Sequence, residues 1–142
     1  MIVLDTNVLS ELLRPQPNTR VMAWLSARPA ASLFTTTVTR GEILYGIRLL
    51  PAGRRRNALQ DAVTAIFDED FAKRTLPYDN PAADHYADIA ASRRTKGRPI
   101  SQFDAMIAAI ARSRGASLAT RNTRDFTGCG IDLTDPWTAK TT

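Results

Sequence analysis

The sequence predicts an α/β protein in which a mostly parallel sheet of four to five strands lies between two layers of helices. Two observations support this fold class. Short apolar runs alternate with longer stretches of helical periodicity, and Pro or Gly separates many of these segments. Because strands of a parallel sheet are covered on both faces, they are apolar along their whole length. The 142 residues suit one domain, so we expect residues 1–142 to form a single unit.

The amino-terminal half predicts two strands and four helices. Pro15 and Pro17 end the first helix because proline cannot continue one, and Asn18 is a suitable cap for the second. In chain order, we expect a strand at 2–4, a helix reaching 14, a helix after 18, a strand at 33–36, a helix from 39 to 50 and a helix from about 55 to 70.

The carboxyl-terminal half continues the alternation. Asn80-Pro81 begins a helix, since proline is tolerated at its first positions, and Ser101 begins the next. We expect a strand at 74–78, a helix from 80 to about 97, a helix from 101 to 115, a compact strand at 117–120 and a last strand at 131–133.

Composition excludes several classes of protein. No apolar run approaches the ~18 residues that a membrane helix needs, and Asp5 interrupts the first apolar stretch too early for a secretory signal. The single cysteine, Cys129, and the single histidine, His85, exclude an internal disulfide and a Cys/His zinc site. We therefore expect a cytoplasmic protein without a membrane partner. The net charge of +5 and the pI of about 10.0 favour a nucleic-acid partner only weakly.

Two acidic residues follow predicted strands. Asp5 comes directly after the first strand, and Asp125 follows the strand at 117–120. Ligand sites in open parallel sheets form beyond the carboxyl ends of the strands. Both carboxylates should therefore reach the same edge of the sheet.

Two further acids begin helices. Glu42 in TRGE and Asp104 in SQFD both fit the capping-box pattern, so each has a purely structural alternative. Asp104 also borders an apolar stripe formed by Phe103, Ile107, Ile110 and Ala111, and Glu42 is next to the inward-facing Ile43. A position at the border of a buried face is compatible with a helix-capping role and with a role as a ligand in a site, so both interpretations stay open.

A cluster of these acids would need compensation. Two carboxylates about 4 Å apart repel by roughly 4 kcal/mol at an effective dielectric near 20, whereas a whole domain is stable by only about 5–15 kcal/mol. Protonation, arginine partners or a bound cation would relieve the repulsion. Oxygen ligands select a hard ion, so Mg²⁺, or Mn²⁺ as a substitute, is the expected metal.

Four segments together resemble the signature of PIN-domain ribonucleases, in particular the FitB-like subgroup of VapC toxins from bacterial type II toxin–antitoxin pairs. They span nearly the whole chain in the family's order and spacing. The segments are LDTNVLSELLRP, TRGEILYGIRLLP, GRPISQFDAMIAAIARSRG and ATRNTRDF.

The resemblance implies a three-layer α/β/α fold and Mg²⁺- or Mn²⁺-dependent cleavage of RNA. It assigns metal binding to Asp5 and Asp104, and next to Glu42, with a supporting role for Thr6. It also implies a homodimer and a VapB-like antitoxin that covers the site, with operator DNA bound only through that antitoxin.

The fourth motif departs from the family's usual pattern. Many relatives carry Asp where this chain has Asn122, and an acid or histidine where it has Asp125. Either residue is a candidate for the fourth catalytic position, and Thr120 precedes them as a further supporting candidate.

Several basic and aromatic residues have two interpretations. Arg40, Arg121 and Arg124 flank the acidic motifs and either bind RNA phosphates or form ion pairs in the pocket. We expect Trp24 and Trp137 to be packing residues, with base stacking on Trp137 as the alternative.

Other functions fit less well. An Asp-nucleophile phosphotransferase of the haloacid-dehalogenase type needs a second Asp where Asn7 stands, and a phosphate loop needs Lys and Ser/Thr where Ile47 and Arg48 stand. A non-catalytic nucleic-acid- or protein-binding module on the same fold remains the alternative to an enzyme.

Overall fold

A computed structural model describes residues 1–139 and confirms the predicted α/β architecture. The central sheet has five strands in the order β3-β2-β1-β4-β5, and all neighbouring strands are parallel. The strands are β1 (Ile2–Leu4), β2 (Leu33–Thr36), β3 (Thr75–Leu76), β4 (Ser117–Ala119) and β5 (Leu133–Thr134).

Within residues 1–139, six α-helices connect and cover the strands. Asn18 caps the second helix as predicted, by accepting hydrogen bonds from the backbone N–H groups of Arg20 and Val21. The fourth helix continues into a π-helical turn at Ile66–Asp70. The helices are α1 (Thr6–Leu12), α2 (Thr19–Ser26), α3 (Thr37–Arg48), α4 (Arg54–Ala65), α5 (Asn80–Thr95) and α6 (Gln102–Ser113).

Two apolar cores lie on opposite faces of the sheet. Val3 and Leu118 are neighbours on β1 and β4 and point toward α5 and α6. The next pair, Leu4 and Ala119, points toward α1 to α4. This alternation is the pleat of a buried strand, and it accounts for apolar residues at consecutive positions. The layers are therefore helix, sheet and helix.

Several predicted details were wrong. The first helix ends at Leu12 rather than at residue 14, and the last strand is Leu133–Thr134 rather than 131–133. Helix α3 begins at Thr37 rather than Thr39, because Thr36 caps it by accepting the N–H of Thr39 at 3.1 Å. Strand β3 pairs over two residues rather than five. Phe103 is 53% exposed, because α6 buries its alanine-rich face and leaves the first-turn Phe103 outside it.

The sheet places Asp5 at its carboxyl edge. The backbone N–H of Asp5 donates to the carbonyl oxygen of Ala119 at 2.9 Å, which extends the pairing of β1 with β4 by one bond. The chain then turns directly into α1. Within residues 1–139, none of the helices has the length and apolar character of a membrane span.

Candidate active site

Asp5 is a buried carboxylate held by hydroxyl and backbone donors. It caps α1 by accepting the N–H of Thr6 at 2.8 Å, and Thr120 donates its hydroxyl to Asp5 Oδ2 at 2.7 Å. The pKa of Asp5 is raised to about 6, chiefly by burial and to a smaller extent by the charges of Asp104 and Glu42, while the two hydrogen bonds oppose the increase. Asp5 is therefore an ionisable group under electrostatic stress.

Glu42 faces the same region from the second turn of α3. Thr6 donates its hydroxyl to Glu42 Oε1 at 2.9 Å and lies 3.0 Å from the hydroxyl of Thr39. Burial raises the pKa of Glu42, and the charge of Asp104 adds to the increase. Because Thr36 caps this helix, the capping-box interpretation of Glu42 was wrong.

Asp104 combines both interpretations that the sequence left open. Its backbone N–H donates to the Ser101 hydroxyl at 3.2 Å, so Ser101 is the helix cap, while its half-buried side chain lines the cavity beside Asp5. Burial raises the pKa of Asp104, a hydrogen bond with Ser101 lowers it, the charge of Asp125 raises it and that of Arg93 lowers it.

The three carboxylates line one open cavity of about 530 Å³. They come from the end of β1, from α3 and from α6, which are distant in sequence and meet at one edge of the sheet. The lining residues are Asp5, Thr6, Asn7, Ser10, Glu11, Arg14, Glu42, Asp104, Arg121, Asn122 and Trp137.

The negative charge of these carboxylates is not matched by ion pairs. In the part of the chain that the structure describes, the salt bridges are Arg14–Glu11, Arg40–Asp68 and Arg114–Asp79. Asp5, Glu42 and Asp104 take part in none of them. Of the three ways to relieve their repulsion, protonation and a bound cation therefore remain.

The donor set suits a hard divalent cation with water in its coordination shell. Among residues 1–139, His, Cys, Asp and Glu side chains form no group of three arranged to hold a metal ion as they stand. Mg²⁺ does not need one, because proteins usually bind it through one or two carboxylates and leave several waters in place. Asp5 and Asp104, with Glu42 nearby, fit that mode.

Asn122 and Asp125 occupy different places. Asn122 lines the cavity, and its backbone N–H donates to the Thr120 hydroxyl at 3.1 Å. Asp125 is exposed and lines a smaller pocket with Arg93, Ser101 and Asp104, outside the main cavity. Asn122 is therefore the nearer candidate for the fourth position, whereas the charge of Asp125 raises the pKa of Asp104 from outside the cavity.

The three arginines predicted to bind phosphate also lie in different places, one at the cavity and two outside it. Arg121 lines the cavity, and its guanidinium carbon lies 5.1 Å from the ring centroid of the half-buried Trp137. Arg40 pairs with Asp68 at 3.6 Å, away from the cavity, and Arg124 is exposed outside it. The fully buried Trp24 is a packing residue as predicted.

Four polar residues at the site were missed from the sequence: Asn7, Ser10, Glu11 and Arg14. Asn7 connects both sides of the cavity, since its amide donates to Thr120 Oγ1 at 3.4 Å and its Oδ1 accepts the N–H of Arg121 at 3.3 Å. Their spacing of three or four residues places all four along one side of α1 and its end. That polar stripe, next to Asp5, was the available signal.

A fifth missed residue, Arg93, lies outside the cavity. It is buried on α5, and its guanidinium donates to the carbonyl oxygens of Asp125 at 2.7 Å, Thr127 at 3.1 Å and Arg98 at 2.7 Å. It therefore fixes the loop that carries Asp125. A single arginine in a polar helix gives no sequence signal that distinguishes it from an exposed one.

The sequence is similar to those of PIN-domain proteins. Residues 2–127 match the PIN domain family. The chain is 39% identical over 137 residues to VapC ribonuclease Y4jK of Sinorhizobium fredii, covering 96% of this chain and 98% of that protein. It is also 39% identical over 137 residues to the toxin FitB of Neisseria gonorrhoeae, covering 96% of this chain and 99% of the toxin.

Solved structures show the same fold. The chain superposes on FitAcB from Neisseria gonorrhoeae with a TM-score of 0.91 at 39% identity, covering 98% of this chain and 100% of the other. The structure of FitAB bound to an IR36 DNA fragment gives a TM-score of 0.92 at 38% identity, with 99% of each chain covered. With the acidic cavity, these likenesses show that the chain belongs to the PIN-domain family, in the group that includes VapC ribonucleases and the FitB toxin.

Proposed function

We propose that this protein is a Mg²⁺-dependent endoribonuclease that acts in the cytoplasm as the toxin of a toxin–antitoxin pair. The observation that carries the proposal is the open cavity lined by Asp5, Glu42 and Asp104, whose charges take part in none of the described ion pairs. The names of the similar proteins, VapC ribonuclease and toxin FitB, support the same activity.

Asp5 and Asp104 would hold the ion, with Glu42 assisting. A bound Mg²⁺ or Mn²⁺ supplies Lewis-acid activation of water and neutralises charge that develops on the phosphate. Oxygen donors of this kind are the ones that Mg²⁺ and Mn²⁺ prefer.

Hydrogen bonds from surrounding groups hold two of these carboxylates, Asp5 and Glu42, in fixed orientations. Thr120 and the backbone of Thr6 hold Asp5 in one orientation, and the Thr6 hydroxyl does the same for Glu42. Fixed orientation lowers the reorganisation that cation binding would otherwise require. Arg121, held against Trp137 at the cavity wall, is placed to bind an RNA phosphate.

An antitoxin partner fits the surface beside the cavity. A groove of about 310 Å³ shares Thr6, Ser10 and Glu42 with the site and is otherwise lined mainly by apolar residues. A VapB-like antitoxin segment with apolar side chains, and with a positively charged side chain near its end, would fill both the groove and the acidic cavity. Operator DNA would then be bound through the antitoxin, consistent with the FitAB complex on a DNA fragment. The apolar residues are Leu13, Ile43, Ile47, Leu50 and Leu59.

A homodimer is the assembly we propose for the toxin. Tyr45 and Leu49 on α3 are each 67% exposed, and Phe103 on α6 lies across an open cavity from Tyr45. Large exposed apolar side chains that lie close together are typical of protein interfaces. Light scattering of the purified chain should give about twice its 15.6 kDa mass.

The experiment that tests the activity is cleavage of total cellular RNA by the purified chain with and without Mg²⁺, followed by mapping of the cut ends. Water rather than the ribose 2′-hydroxyl is the expected nucleophile, so products should carry a 5′-phosphate and a 3′-hydroxyl. Asp5→Asn and Asp104→Asn should abolish cleavage and remain folded, whereas Asp61→Asn, on the exposed face of α4, should not.

Two results would contradict this function. A 2′,3′-cyclic phosphate would show attack by the ribose, and undiminished cleavage by both Asn variants would remove the assigned carboxylates from the reaction. RNA binding without any cleavage would instead favour a non-catalytic binding module.

A further inference from the structure

Glu11 and Arg14 form a pair at the wall of the acidic cavity. The Glu11 side chain is only 4% exposed, whereas that of Arg14 is 65% exposed, and both line the cavity. Arg14 Nη1 donates to Glu11 Oε1 at 3.1 Å and to Oε2 at 3.2 Å. A buried carboxylate and an exposed guanidinium are thus joined at the cavity rim.

The geometry of the pair leaves donors for a second anion. An arginine side chain has five N–H groups on three nitrogens, and here one nitrogen, Nη1, serves both oxygens of Glu11. Among residues 1–139, Nη2 and Nε of Arg14 make no hydrogen bond with another protein group. These two nitrogens are therefore available to bind a phosphate.

The backbone also restricts where Arg14 can be. Arg14 follows the end of α1, its N–H donates to the carbonyl oxygen of Glu11 at 3.2 Å, and Pro15 follows it. Proline restricts the backbone of the residue before it. Holding a long side chain in place in advance removes part of the entropy that ordering it on binding would cost.

We propose that Arg14 binds the phosphate backbone of RNA at the cavity and that Glu11 is a positioning residue that holds its guanidinium there. This inference rests on the proposed function in taking RNA as the substrate. Arg14 and Arg121 would then be the two arginines of the cavity that contact RNA, in place of Arg40 and Arg124, which lie outside it.

The first test is the salt dependence of binding to a short single-stranded RNA, measured in Asp5→Asn protein without divalent ions. Each phosphate contact on a single strand contributes about 0.7 to the slope of log affinity against log salt. Arg14→Gln should lower the slope by about that amount and weaken binding roughly three- to tenfold. Arg20→Gln, an exposed arginine on α2 outside the cavity, is the matched control and should leave the slope unchanged.

The second test distinguishes positioning from simple charge. Glu11→Gln removes a negative charge beside a polyanion, which by itself strengthens RNA binding. If Glu11 positions Arg14, this variant should instead weaken binding, and the same change made in Arg14→Gln protein should have no weakening effect. Melting curves identify any variant that does not fold. If Glu11→Gln does not fold, the salt dependence of RNA binding by Arg14→Gln still decides the inference.

The inference would be overturned if Arg14→Gln left the salt-dependence slope unchanged. It would also be overturned if the single variant Glu11→Gln bound RNA more tightly than the parent protein. RNA cleavage by the unmodified chain with Mg²⁺, assayed in parallel, tests the proposed function separately. Cleavage with an unchanged slope rejects only the role of Arg14, and absent cleavage rejects the nuclease whatever the slope.

Discussion

Asp5 experiences the strongest conflict between folding and charge of any residue at the site. Its carboxylate is buried and faces the charges of Glu42 and Asp104, and together these raise its pKa to about 6. Its hydrogen bonds with Thr6 and Thr120 offset only part of this. A position that makes a carboxylate costly to ionise is one that a cation stabilises, which is the physical link between this residue and the proposed function.

The raised pKa of Asp5 predicts a pH-dependent stability. Well below pH 4, Asp5 is protonated in both the folded and the unfolded chain, and its burial does not reduce the stability of the fold. Between about pH 4 and 6 the unfolded chain ionises at Asp5 while the folded chain keeps the proton, so the metal-free fold loses up to about 3 kcal/mol, and the loss is complete above about pH 6. Asp5→Asn should therefore raise the melting temperature by several degrees at pH 7.5 and have little effect at pH 4.

Melting curves in EDTA at both pH values check this prediction. Asn is as good a helix cap as Asp, so loss of the cap should not obscure the result. Asp61→Asn, outside the cavity, serves as the control. An Asp5→Asn variant that is less stable than the unmodified chain at pH 7.5 would show that the carboxylate is not under electrostatic stress.

Thr120 should tune the affinity of Asp5 for a cation. Thr120→Val keeps the shape of a buried side chain but removes the donor that lies 2.7 Å from Asp5 Oδ2. A hydrogen bond to a charged group contributes about 1.5–3 kcal/mol, so the pKa of Asp5 should rise further and Mg²⁺ affinity at pH 7 should fall about tenfold. Calorimetric titration measures this, and Thr120→Ser, which keeps the hydroxyl, should bind Mg²⁺ normally.

The sequence predicted some site residues and missed others for physical reasons. Asp5 directly follows an apolar strand, so its place at the edge of the sheet could be predicted. Glu11 could not be recognised as buried, since a Glu on an amphipathic helix is usually solvated, whereas here its side chain is 4% exposed and paired with Arg14.

Helix starts determine where the acidic side chains point. In α6, Ser101 is the cap and Asp104 is the third residue of the helix, so the capping pattern in the sequence gave the correct start. In α3 the same pattern gave the wrong start. The cap is Thr36 at the end of β2, whose hydroxyl accepts the N–H of Thr39, so Thr39 is already inside the helix. The sequence pattern alone does not show whether the threonine at the end of the strand or the later threonine caps the helix.

Loss of the α6 cap should weaken the whole fold. Ser101→Ala removes the acceptor for the N–H of Asp104 and should lower the free energy of unfolding by about 1 kcal/mol. Urea unfolding measures the change, and Ser101→Thr should retain most of the stability. An effect of Ser101→Ala no larger than that of Ser101→Thr would show that the hydroxyl does not cap the helix.

At the scale of the whole molecule, strand order brings the site together. β1 is central, with β2 and β4 on either side, so the carboxyl ends of these strands lead directly to Asp5, to α3 with Glu42 and to the loop with Asn122. Alternating strands and helices predicted this parallel sheet. The lengths of β3 and β5 were less predictable, since edge strands of two residues depend on pairing with neighbours rather than on their own apolar pattern.

The central claim is that a divalent cation relieves the repulsion among Asp5, Glu42 and Asp104. The most direct measurement is the melting temperature of the unmodified chain and of Asp5→Asn as Mg²⁺ is added at constant ionic strength. At about ten times its dissociation constant, a cation bound to the folded state adds about 1.4 kcal/mol. We predict a saturable rise for the unmodified chain and almost none for Asp5→Asn, and equal responses of the two proteins would contradict the claim.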